Sequence, residues 1–225
     1  MDQRIENTCA SRLTEFLAVD HAKLLLYLGS TSFAAIGRRY VMSSASGDRS
    51  DRWFSRNLFK FLDETSPYSK NPELSEIARL EAAFNVAFEA VDAPIVTNVE
   101  IAKLSLADMK KRRIEIHPSA QRLRLTTNAT SIWAALQCEE LPPRPERLDR
   151  PNEILVWRQG NAPRFRILGE EEATAFDMAK TGASIEQIAD HLCADNRIES
   201  ACECGEIYLR GWVEAELISG LPIKK

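Results

Sequence analysis

The stretch Ile154-Leu155-Val156-Trp157-Arg158-Gln159-Gly160-Asn161-Ala162-Pro163-Arg164-Phe165-Arg166-Ile167-Leu168 decides the reading of the fold. Two runs rich in β-branched and aromatic residues flank a short Gly-Asn-Ala-Pro segment, which predicts a β-hairpin. Working downstream, Glu170 to Lys180 has acidic residues in its first turn and a lysine in its last, matching the helix dipole, and it closes near Gly182. Ser184-x-x-Gln187 has the spacing of a capping box and opens a helix with Ile185, Ile188, Ala189 and Leu192 inward. A last helix is expected from about Gly205 to Leu217, presenting Ile207, Leu209, Trp212, Val213 and Leu217. Hairpin, helix, turn, helix, loop, helix is the outline of a winged-helix-like module over 151–225.

Upstream the pattern changes from period two to helical. From Leu74 to Val91, the residues Ile77, Leu80, Phe84, Phe88 and Val91 recur at spacings of three and four, and Glu76, Arg79, Glu81 and Glu89 fall mostly on the other side. Asp92-Ala93-Pro94 ends this helix, since proline cannot continue it. Two shorter helices are expected around Gly29, at Leu24–Tyr27 and Ser32–Val41. Another runs from about Asp51 to Leu62 with Trp53, Phe54, Leu58, Phe61 and Leu62, and Ser43 to Ser50 reads as a loop. The zone 1–95 is thus expected to be a helical bundle domain.

The zone 96–150 is less regular. Ser105 with Asp108 three residues on opens a short helix that reaches the basic run Lys110-Lys111-Arg112-Arg113. Arg113–Ile116 and Arg122–Leu125 alternate as extended segments do. Pro142, Pro143 and Pro145, interleaved with Arg144, Arg147 and Arg150, read as a linker. The expected class is α+β, mainly α: an N-terminal helical bundle, an irregular connecting segment with a Pro/Arg linker, and a small C-terminal hairpin-plus-helices domain.

Composition bounds the function. The chain has 225 residues, a formal charge of -4 and 44% hydrophobic residues, the balance of an ordinary folded protein with enough apolar material for a core. No run of eighteen apolar residues occurs, and Met1-Asp2-Gln3-Arg4-Ile5-Glu6 lacks the layout of a secretion signal, so a cytoplasmic protein is expected. Five cysteines (Cys9, Cys138, Cys193, Cys202 and Cys204) are no disulfide framework. Cys202-Glu203-Cys204 is too closely spaced for a usual zinc site, although His191 and Cys193 complete a four-ligand set on paper. Of three histidines, His21, His117 and His191, none stands in an H-x-H or H-E-x-x-H arrangement. No phosphate loop or nucleophile elbow is present, so no catalytic residue and no metal ligand is assigned to this chain.

The helix-turn-helix outline raises DNA binding, with Lys110 to Arg113 as a further basic element. Against it, Cys202 to Glu216 carries Glu203, Glu206, Glu214 and Glu216 with a single Arg210, which repels phosphate. The same outline suits a peptide-docking module whose hairpin leaves an edge strand to pair with an extended peptide.

Several motifs in order carry a resemblance. Ile77-Ala78-Arg79-Leu80-Glu81-Ala82-Ala83 with Val91-Asp92-Ala93-Pro94 is similar to the A-R-L-E-W-A…D-A-x-P signature of the HvfC/BufC family. Leu28-Gly29, Phe33, Arg39-Tyr40, Phe59-x-Phe61-Leu62, Ile116-His117-Pro118, Ser131-Ile132-Trp133 and Leu155-Val156-Trp157-Arg158 followed by Arg164-Phe165-Arg166-Ile167-Leu168 resemble further elements of that family. Ala82 stands where the family has tryptophan, and His21-Ala22-Lys23 stands near its usual Tyr-Pro pair. These departures lean toward the methanobactin-biosynthesis branch, MbnC.

The resemblance implies a non-catalytic subunit that forms a heterodimer with an MbnB-like oxidase. That partner holds several non-heme iron ions and converts cysteine of an MbnA-like precursor peptide to oxazolone and thioamide, a copper ligand. On that expectation, Ile154, Val156, Arg158, Arg164, Arg166 and Leu168 form a docking surface for the precursor leader. Trp53 and Phe54 lie on the surface for the oxidase. The competing readings are solvated strand arginines and core aromatics, and the alternative function is a helix-turn-helix transcriptional regulator.

Overall fold

The computed structural model describes residues 3–43, 51–195 and 201–223. The chain is α+β and mainly helical. In order, its first elements are α1 (Gln3–Asp20), α2 (Ala22–Leu28), α3 (Ser30–Ser43), α4 (Asp51–Arg56), α5 (Leu58–Glu64) and α6 (Pro72–Glu89). Then come α7 (Asn98–Ala102), α8 (Leu106–Lys110), β1 (Glu115–Ile116), β2 (Gln121–Thr127), α9 (Ala129–Gln137), β3 (Arg147–Gln159) and β4 (Ala162–Leu168). The last are α10 (Glu170–Lys180), α11 (Ile185–Asp195), α12 (Ala201–Glu214) and β5 (Ile218–Gly220). They form two compact units, 1–85 with 124–152 and 86–123 with 153–225. Each unit uses two separate chain segments, with the crossovers inside α6, β2 and β3. The stretch 96–150 therefore divides between the units and contains a helix, α9, that the sequence pattern did not announce.

In the first unit, α1 packs on α3 and α4, and α2 on α3 and α9. Gly37 permits the close approach of α3 to α1, because a Cβ there would stand 3.0 Å from Cγ2 of Thr14. Gly29 separates α2 from α3 with φ of 77°, a conformation that glycine adopts without strain. The aromatic helix expected over Asp51–Leu62 breaks at Asn57 into α4 and α5. Asn128 fixes the chain entering β3: its amide donates to the Arg144 carbonyl, and its carbonyl accepts the Glu146 N–H. The supposed Pro/Arg linker accordingly becomes strand from Arg147 onward, including Pro151.

α6 corrects the amphipathic reading. Ile77 and Leu80 are buried as expected, whereas Phe88 in its last turn and Val91 beyond its end are exposed. Glu76 and Glu81, expected outside, are buried. Glu76 accepts the backbone N–H and hydroxyl of both Thr126 and Thr127 at 2.5–2.9 Å. Glu81 accepts the N–H groups of Lys23 and Leu24 at 2.7 and 3.1 Å. Each carboxylate is thus held inside by backbone donors that would otherwise be unpaired.

In the second unit, one face of the hairpin supplies Leu155, Trp157 and Leu168 to a core completed by Phe176 of α10, Trp212 of α12 and Leu217. Phe176 meets Trp212 edge to face at 6.0 Å. Burying each of these large side chains contributes about 2 kcal/mol. α10 spans Glu170–Lys180 as expected, and the Ser184/Gln187 capping box is formed, with Gln187 N–H to Ser184 Oγ and Ser184 N–H to Gln187 Oε1. β5, which no sequence signal indicated, pairs antiparallel with β1, at the end of the extended run expected over Arg113–Ile116.

Candidate functional site

The hairpin turn is Gly160-Asn161, two residues long, with Gln159 opposite Ala162. Gly160 has φ of 56° and Asn161 is not among the positive-φ residues, the pattern of a type II′ turn with glycine first. Its N–H donates to the Glu216 carboxylate at 2.8 Å, and the Gln159 amide donates to the Glu214 carbonyl, so α12 and the residues after it anchor the turn. The strand order is β2-β3-β4. β3 is therefore central, and β4 is the edge of this sheet among the described residues.

A two-residue turn makes the flanking pair Gln159 and Ala162 hydrogen-bonded, and bonded pairs then alternate along the ladder. Trp157 with Arg164 and Leu155 with Arg166 are bonded pairs in this register. Pro163, Phe165 and Ile167 turn their backbone away from β3. Proline lacks an N–H, which suits a position where none is needed by the ladder. The outward donors of β4 are thus the N–H groups of Phe165 and Ile167. Sequence reading missed these two residues; the Gly-Asn turn, with its fixed parity, was the signal that could have found them.

The residues expected to dock a peptide have unequal fates. Ile154, Val156 and Leu168 are buried, and the first two lie on the central strand, so their side chains offer no docking surface in this structure. Arg158 is largely covered. Its Nη1 donates to the Phe88 carbonyl at 3.0 Å and its Nη2 to Asp92 at 2.6 Å, so it pins the end of α6 and the segment after it. Arg166 forms a two-pronged pair with Glu172, which also accepts Nε1–H of Trp212 at 2.8 Å. Arg164 is exposed at the edge, and Ile167, three residues on, is 54% exposed. Of the original six, only Arg164 presents its side chain to solvent at the edge without a structural assignment.

For the oxidase surface, Phe54 is 5% exposed and stacks on Tyr40 at 4.5 Å, with the Tyr40 hydroxyl donating to the Phe54 carbonyl at 2.6 Å. It is a core residue, which removes it as an exposed contact. The Trp53 side chain lies outside the described residues. So do those of Cys193, Cys202 and Cys204, whereas His191 is exposed on α11. Among the described residues no cluster of three His, Cys, Asp or Glu could hold a metal ion.

His117 is buried at 3% exposure. Ser119 donates its N–H to Nδ1 at 3.2 Å, so the ring proton sits on Nε2. Burial, joined by the Arg158 cation, holds the imidazole below its ordinary value, so it is neutral at pH 7. Of the basic run, Arg112 donates to the Leu221 carbonyl at 2.5 Å, and Arg113 lines a groove of about 760 Å³ with Glu115, His117 and Lys180. The mixed signs of that lining favour no single ligand. Among the described residues, no helix is long and apolar enough to cross a membrane. Compared with known proteins, the chain matches no family model, and no curated protein matches it.

Proposed function

We propose that this chain is a non-catalytic partner subunit of an MbnB-like multinuclear non-heme iron oxidase, binding the leader of an MbnA-like precursor peptide. In this reading the heterodimer acts in the cytoplasm and converts peptide cysteine to oxazolone and thioamide for a copper-chelating peptide. The iron belongs to the partner subunit, and this chain positions the substrate. The observation that carries the reading is the β4 edge, where the N–H group of Ile167 faces away from β3 on the strand that carries the exposed Arg164. An extended leader adds a strand there through main-chain hydrogen bonds, and Arg164 favours an acidic residue in it. The order of family-like motifs from Leu28 to Leu168 supports the same assignment.

The test is co-expression with the neighbouring oxidase gene and precursor gene, followed by copurification. A stable iron-containing heterodimer that binds the leader is expected. A chain that purifies alone and shifts its own promoter DNA in a salt-dependent manner overturns the proposal in favour of the regulator.

A further inference from the structure

His21 occupies the corner between α1 and α2 and is 0% exposed. Its Nε2–H donates to the Ser55 carbonyl of α4 at 2.9 Å, which leaves Nδ1 as a bare acceptor. Nδ1 is buried and has no hydrogen-bond partner. It faces Oε2 of Glu81, on α6, at 3.9 Å. The Glu81 carboxylate is itself 5% exposed and accepts the first-turn N–H groups of Lys23 and Leu24. It thereby caps α2, whose own N-cap residue His21 makes no side-chain cap bond.

Two acceptors facing each other out of water is a costly arrangement. One proton removes the cost. On Glu81 it makes an O–H aimed at Nδ1; on Nδ1 it makes an imidazolium beside a carboxylate. In both cases the Ser55 bond and the two backbone donors stay in place. We propose that His21 and Glu81 hold one proton in common near neutral pH, and that this shared proton clasps α6 to the α1–α2 corner and to α4.

The surroundings agree with a pair that carries one proton in total. Burial pushes Glu81 up to about 7, against the pull of the Lys23 and Leu24 N–H groups and the Lys23 ammonium. Burial pushes His21 the other way, below its ordinary value. Asp20, at the end of α1, favours the proton on either partner. α4 contributes the Ser55 carbonyl, and α9, which packs on α2, has no ionisable side chain over Ala129–Gln137.

The clasp makes a signed prediction. Unfolded, the imidazole titrates near ~6.5 and the carboxylate near ~4.3. Between those values the unfolded pair carries one proton and so does the folded pair, so this site leaves stability unchanged there. In Glu81→Gln the amide N–H replaces the shared proton, the folded ring stays neutral, and the unfolded ring still protonates. Relative to the natural chain, the unfolding constant of Glu81→Gln should then rise about tenfold per pH unit as pH falls from about 6.5 to about 4.5. Above neutral pH the difference should be constant. Denaturant unfolding of both proteins across this range is the experiment, and parallel stability curves overturn the proposal. A second readout needs no variant: nitrogen NMR of the natural chain should show Nδ1 of His21 shifting in one step near neutral pH while Nε2 keeps its proton. An Nδ1 signal unchanged between about pH 5.5 and 8.5 overturns it equally.

Discussion

β3 and β4 are consecutive strands joined by two residues, and both are rich in aromatic and β-branched side chains. β3 has β2 on one side and β4 on the other, and Ile154, Leu155, Val156 and Trp157 are all buried. A strand covered on both faces reads as a continuous apolar run, and Ile-Leu-Val-Trp is one. Among the described residues β4 has a neighbour on one side only, and it interleaves arginine with its apolar residues, as edge strands do to discourage indiscriminate pairing. The difference assigns stability to β3 and leaves β4 as the strand on which the proposed peptide docking depends. It also explains why six residues grouped as one docking surface are not presented together.

Four substitutions sharpen or break that contrast, in descending order of expected effect. Leu155→Ala, on the central strand, should cost about 3 kcal/mol in denaturant unfolding, since it empties a fully buried position. A cost like that of a surface mutation would mean that β3 is not central. Arg166→Glu should cost about 1–2 kcal/mol, because it sets a like charge against the nearly buried Glu172 and disturbs the acceptor of Trp212. The partly exposed arginine keeps that figure below the cost of breaking a fully buried pair.

Ile167→Pro comes third. Its N–H points away from β3, so stability should change by about 0.5 kcal/mol or less, while affinity for the precursor leader, measured by calorimetry, should fall about tenfold. Equal loss of stability and binding would show that the ladder parity is reversed. Arg164→Glu should be the mildest for the fold, within about 0.5 kcal/mol, and should weaken leader binding several-fold at low salt and less at high salt. Unchanged affinity in both of these variants would remove β4 as the docking edge.

Much of the local structure was legible beforehand. α10 starts and ends where its acidic first turn and Lys180 put it, and the Ser184/Gln187 and Ser105/Asp108 caps are formed. These signals act between residues three or four apart, so no distant part of the chain can alter them. Other features were hidden for a matching reason. β5 is three residues long and pairs with β1 about a hundred positions earlier. Glu76 and Glu81 sit on the polar side of the α6 pattern, and their burial depends on backbone donors from Thr126, Thr127, Lys23 and Leu24.

Residue order alone announced the class of the fold, most helix positions and a hairpin around 159–163, because periodicity, capping and turn chemistry are short-range. It took the folded chain to make β3 central and β4 the edge, to occupy Arg158 and Arg166 while Arg164 stays exposed, and to bring His21 to Glu81. Those outcomes depend on which distant segment arrives beside a given strand or carboxylate. Burial and long-range hydrogen bonding set that arrival, and neither is written in the spacing of neighbouring residues.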